Sequence, residues 1–189
     1  MFNYIHNILR VVLRKKNMTK KIAMIIASMN FRDEELSIPK FVFEGAGATV
    51  HVASTSLEQA EGKLGMKIKP DMMVKDIRVA NYDAVVFVGG TGASCYFNSK
   101  IAHDIAKEAY LKHKLLCAIC AGPVILANAG VLDRKKATVF PSFERELKQK
   151  GAIYTGESVQ VDGSIVTADG SQSAERFAVE IVKLLSRSK

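Results

Sequence analysis

Short, nearly unbroken apolar runs alternate along this chain with longer stretches whose apolar residues recur at helical spacing. The runs at 21–28, 49–53, 84–88 and 115–120 read as strands covered on both faces. Asp33-Glu34-Glu35 opens a predicted helix carrying Ile38, Phe41, Val42 and Phe43, which ends near Gly45-Ala46-Gly47. Further helices are predicted over about 98–112, 123–129, 143–150 and 173–186, the last with Phe177, Ile181, Leu184 and Leu185 facing inward. Residues 62–73 read as a small hairpin with Met66 and Ile68 on one face, and Thr138-Val139-Phe140 as a short strand. Residues 159–167 read as a hairpin turning at Asp162-Gly163. Strands separated by helices predict a mainly parallel α/β sandwich, whose sites lie beyond the carboxyl ends of the strands.

Three motifs occupy such positions: Asp33-Glu34-Glu35, Gly89-Gly90-Thr91-Gly92, and the corner Ile119-Cys120-Ala121-Gly122-Pro123. They are expected to meet in one crevice. In the last, an apolar strand stops at a thiol and Pro123 starts a helix, the pattern of a nucleophile elbow that lifts a side chain above the sheet. The positive end of the following helix is expected to lower the thiol pKa. The glycine loop lacks the spacing of a phosphate-binding loop. It reads instead as close backbone approach, with the Gly90 and Ala121 N–H groups forming an oxyanion hole, or as a plain tight turn. For Asp33 and Glu34, favourable charge at a helix start is sufficient explanation.

Composition narrows the class. At 189 residues, 48% hydrophobic and 24% charged, the chain suits one soluble domain with a substantial core. Three cysteines, Cys95, Cys117 and Cys120, do not make a disulfide framework, and a reducing cytoplasm is expected. The net charge of +8 is concentrated: six of 27 basic residues and no acid fall in residues 1–21, leaving 21 basic against 19 acidic. A nucleic-acid partner would need clustered charge on that nearly neutral body. Residues 1–17 mix apolar and basic side chains and are expected to be a dispensable extension, or an amphipathic helix giving the only membrane contact. A single domain is expected over 18–189.

The residues also resemble those of the ThiJ/PfpI superfamily. The matching pieces are Phe31-Arg32-Asp33-Glu34-Glu35 with Ile38-Pro39, then 86–90, Ala118-Ile119-Cys120-Ala121-Gly122-Pro123, and the closing hairpin and helix, together spanning about 20–187. The resemblance implies a flavodoxin-like three-layer sandwich, a reactive Cys120 with the acid Glu35 beside it, a homodimer or larger assembly, and no cofactor or metal. The chain departs from the family at three places. The peptidase branch has His after the elbow Cys where Ala121 stands here, and an acid in the glycine loop where Ser94 stands. The deglycase branch often has His at the position of Phe140. His6, His51, His103 and His113 offer no replacement base by spacing, which counts against a Cys–His peptidase.

What remains is a Cys120–Glu35 pair. An ionised Glu35 would raise the thiol pKa, whereas a protonated one would donate to the thiolate, so the two titrations are coupled. Such a pair suits a cofactor-free glyoxalase or deglycase acting on a small reactive dicarbonyl or a protein modified by one. It equally suits a stress-response redox sensor or chaperone in which Cys120 is oxidised. Cys117 is expected in the core, despite forming C-x-x-C with Cys120, and Cys95 is a candidate resolving thiol.

Overall fold

The computed structural model describes residues 19–187; the expected extension at 1–17 lies outside them. The chain opens with β1 (Lys21–Ile25), β2 (Met29–Phe31), α1 (Asp33–Gly45) and β3 (Thr49–Ser54). Next come β4 (Ala60–Gly62), β5 (Lys67–Ile68), β6 (Met72–Met73), β7 (Ala84–Phe87), α2 (Lys100–Leu111) and β8 (Leu115–Ile119). The final third holds α3 (Pro123–Asn128), β9 (Lys136–Ala137), α4 (Glu144–Gln149), β10 (Ile153–Tyr154), β11 (Val159–Asp162), β12 (Ile165–Ala168) and α5 (Ala174–Leu185). Among the described residues no helix is long and apolar enough to cross a membrane.

Seven strands form one sheet in the order β11-β12-β8-β7-β1-β3-β6. Every neighbouring pair is parallel except β11–β12, the hairpin expected at Asp162-Gly163. From β1 the chain crosses to β3 on one side, then returns to place β7 on the other, the doubly wound flavodoxin-like topology. A crevice opens where the connections diverge.

The apolar runs are continuous because both faces of the sheet are covered. Within β1, Ile22 and Met24 pack with Leu36 and Phe43 of α1 and with Phe177 and Ile181 of α5. Ala23 and Ile25 instead pack with Ala102 and Ile105 of α2 and with Val124 and Ile125 of α3. β7 and β8 divide their side chains in the same alternation. Each fully buried Ile, Leu or Phe in these layers contributes about 1.5–3 kcal/mol relative to exposure.

Three expectations need correction. The strand lies at β9, not at Thr138-Val139-Phe140, because other partners claim the backbone of that apolar run. Thr138 N–H donates to Thr167 Oγ1 at 2.9 Å, and Phe140 N–H donates to the Cys120 carbonyl at 2.9 Å. The segment is thus stapled to β12 and to the corner after β8. On α1, Phe41 is 73% exposed, while Leu36, Pro39, Val42 and Phe43 make the inward face. The predicted hairpin is present as β4–β5, over 60–68 rather than 62–73, and joins β2 in a separate three-stranded sheet, while Met72–Met73 pair with β3.

Candidate active site

Cys120 follows β8 directly and has φ of +60°, a backbone conformation that non-glycine residues adopt rarely and at a cost of order 1–3 kcal/mol. Two long-range hydrogen bonds hold it there. Its N–H donates to the Ala168 carbonyl of β12 at 2.9 Å, and its carbonyl accepts from Phe140. The glycines on either side are required by contact. A Cβ on Gly89 would lie 2.5 Å from Glu35 Oε2 and 2.6 Å from Cys120 Cβ, and one on Gly122 would lie 2.6 Å from the Phe87 carbonyl.

Glu35 sits in the first turn of α1 and is 1% exposed. Its carboxylate accepts a hydrogen bond from Gly89 N–H at 3.1 Å and another from the Cys120 thiol. The N–H groups of Gly90 and Ala121 face the sulfur. All four residues singled out from the sequence, Cys120, Glu35, Gly90 and Ala121, therefore meet at one point beyond β7 and β8.

The electrostatics differ from the sequence expectation. Burial pushes the Cys120 thiol up to about 12; the negative charge of Glu35 acts in the same sense, and the Gly90 and Ala121 amides oppose both. The expected acidic thiol is not what this corner makes. The helix behind it, α3, has only six residues, and its positive end is outweighed by desolvation and a facing carboxylate. Burial also raises Glu35, to about 7, against the stabilising hydrogen bonds from Cys120 and Gly89. At neutral pH the site therefore rests as a protonated thiol bonded to a carboxyl balanced between its two forms.

These groups lie at a cavity of about 420 Å³. Ser94 and Phe140, two positions at which the chain departs from the family pattern, both line it. Thr91 of the glycine loop and Arg32 before the acidic motif also line it, and residues not foreseen from the sequence complete the wall: Lys63, Phe97, Ser142, Phe143 and Ser171. They come from loops far apart in the chain, and local patterning carries no signal of their convergence. No histidine among the described residues lines the cavity. His51 Nδ1 pairs with Tyr82 Oη at 3.1 Å, and His103 Nε2 donates to the Phe97 carbonyl at 2.8 Å. Cys117 is fully buried within β8, and Cys95 is exposed and outside the cavity wall. Among the described residues no group of three His, Cys, Asp or Glu is placed to hold a metal ion.

The neighbouring carboxylates have other work. Asp33 accepts from Leu64 N–H at 2.8 Å and Met66 N–H at 2.7 Å, clamping the β4–β5 turn. Glu34 binds Arg32 through two hydrogen bonds, to Nε at 2.8 Å and Nη2 at 3.1 Å.

A thiol on a strained strand-to-helix corner of a doubly wound sheet, with a buried carboxyl against it, defines an α/β protein of the nucleophile-elbow class. More narrowly, the chain belongs to the DJ-1/PfpI family, whose sequence model matches residues 20–184. It is similar to an uncharacterised protein of Methanocaldococcus jannaschii, 42% identical over 93% of this chain and 87% of the relative. It is also similar to a deglycase of Pyrococcus horikoshii, 29% identical over 86% of this chain and 98% of that one. Among solved structures, the ThiJ/PfpI domain protein of Brachyspira murdochii superposes with a TM-score of 0.89 at 34% identity, covering 92% of this chain and all of its own.

Proposed function

We propose that the protein is a cofactor-independent, cysteine-dependent enzyme acting on reactive dicarbonyls or their protein adducts, with Cys120 as nucleophile and Glu35 as proton carrier. The observation that carries this reading is the placing of a buried carboxyl against the thiol of a strained corner, both crowding Gly89, beside a cavity of small-molecule size. A base poised there takes the thiol proton during attack and gives it back afterwards, so no standing thiolate is needed. The deglycase of Pyrococcus horikoshii supports the same reaction class.

For a 2-oxoaldehyde the steps balance without an added oxidant. Glu35 accepts the Cys120 proton as sulfur attacks the aldehyde carbon, and the carbonyl electron pair moves onto oxygen, oriented by the Gly90 and Ala121 N–H groups. Oxygen then takes the proton from Glu35, giving a hemithioacetal. The regenerated carboxylate removes the hydrogen on that carbon and delivers a proton to the neighbouring ketone carbon, while the hydroxyl proton passes from the hemithioacetal oxygen to the ketone oxygen. The first carbon rises to the thioester level while the second falls to an alcohol. Water cleaves the thioester, releasing a 2-hydroxy acid and the free thiol.

Peptidase action has less support, because no histidine among the described residues lines the cavity to return a proton to a leaving amine. A redox-sensing role would use the same sulfur, and oxidation of Cys120 by peroxide in a protein that turns over no dicarbonyl would favour it. The test is conversion of methylglyoxal to lactate. The native chain is expected to turn over and Cys120→Ser to lose at least ~10³-fold in kcat/KM; a folded native protein that yields no lactate would overturn the reading.

A further inference from the structure

The cavity is built from two unlike sides. Arg32 and Lys63 come from the β1 side of the sheet, on the segment entering α1 and on the β4–β5 turn clamped by Asp33. Phe140 and Phe143 come from the β8 and β12 side, on the segment stapled to the elbow, and Phe97 meets Phe143 edge-to-face with centroids 5.7 Å apart. Phe140 is 46% exposed, a large apolar surface left open beside the nucleophile. The charges around the cavity are segregated: Arg32 is held by Glu34, and any negative charge of the Glu35–Cys120 pair lies buried at the elbow, away from the exposed Lys63. Lys63 has no ion-pair partner among the described residues, and its N–H is fixed to the Phe31 carbonyl at 2.8 Å.

Resting on the carbonyl chemistry proposed above, we infer that the preferred substrate carries its reactive carbonyl on an apolar, ring-sized body that also bears a negative charge. The phenylalanines seat the body, and Lys63 reads the charge. Methylglyoxal, small and neutral, uses neither side, whereas an aryl or long-chain 2-oxoaldehyde with a carboxylate engages both. An aromatic guest gains ring contacts worth more than its buried area alone. An exposed ammonium adds a modest, salt-sensitive preference.

Binding tests this separately from turnover. Acetophenone and 4-acetylbenzoate, unreactive analogues that differ only in the carboxylate, are titrated calorimetrically into the Cys120→Ser protein. The charged analogue is expected to bind about fivefold tighter at low salt. That advantage disappears with Lys63→Gln added, inverts with Lys63→Glu, and shrinks at 0.5 M NaCl; Lys114→Gln, outside the cavity wall, leaves it intact. Equal affinities for the two analogues, failure of both to bind, or a preference indifferent to Lys63 would overturn the inference. Kinetics supply the second arm: kcat/KM for 3- and 4-carboxyphenylglyoxal should exceed that for phenylglyoxal in the native chain, and the ratio should collapse in Lys63→Gln. Loss of all turnover with the binding preference intact would instead remove the enzymatic reading and leave the ligand site standing.

Discussion

Asp33 and Glu35 are two residues apart in the first turn of one helix, both buried carboxyls, yet they do opposite things. Asp33 points at backbone: two N–H donors of the β4–β5 turn satisfy it, and it serves as a clamp that shapes the cavity's cationic side. Glu35 points at a thiol and one N–H, and its burial outweighs both hydrogen bonds, raising its pKa to about 7. The helix start offers both residues the same favourable dipole. The number of donors is the same; what separates the two carboxyls is that Asp33 faces two backbone amides while the more deeply buried Glu35 shares its site with a thiol.

The contrast can be broken from either side. The largest expected effect is on chemistry: Glu35→Gln keeps shape and an acceptor for Gly89 N–H but cannot take a proton, and should lower kcat/KM by about 10²–10⁴-fold. The native pH–rate profile should rise through an apparent pKa of about 7, and that limb should be absent in the variant.

The same group sharpens the comparison through stability. Its folded pKa of about 7 exceeds the ordinary carboxyl value of 4.5, so the native state binds more protons than the unfolded chain between those values. Stability therefore falls as pH rises across that window and levels off above it, the reverse of an ordinary paired carboxylate. Relative to Glu35→Gln, the native protein should lose about 2 kcal/mol between pH 5 and pH 8, read by urea unfolding at each pH. A difference that stays flat or grows in the other direction would contradict the assignment.

Asp33→Asn should cost about 1–3 kcal/mol by removing charge-assisted acceptance from two backbone donors, with the neutral-pH limb of the rate profile kept. Thermal unfolding and the pH profile together check it. Smallest of all, Glu34→Gln should change stability by no more than about 0.5 kcal/mol in urea unfolding, since its pairing with Arg32 is partly solvent-exposed.

Much of this arrangement was legible along the chain. Period and punctuation gave the strands β1, β3, β7 and β8, the helices between them, the terminal hairpin, and the elbow at Cys120. The convergence of Glu35, Gly90 and Ala121 on the sulfur followed from the rule that sites gather at strand carboxyl ends. Three things were not legible, each for a physical reason. Thr138-Val139-Phe140 has strand-like residues, but its donors are spent on Thr167 and Cys120, partners that only tertiary structure supplies. The thiol pKa depends on how deeply the corner is buried and on what faces it, and a sequence pattern reports neither. Lys63 and the phenylalanines belong to separate loops, and nothing in their local spacing marks them as neighbours.

The two long-range ties of the elbow have a consequence for synthesis. The kinked backbone at Cys120 is held by Phe140 and by Ala168, both of which emerge from the ribosome after it. Until β12 docks beside β8, the corner has no partner to impose its shape, and the sulfur is an ordinary side chain on a nascent segment. The strained corner takes its shape only once β12 has been made, when nearly the whole domain is available to enclose it.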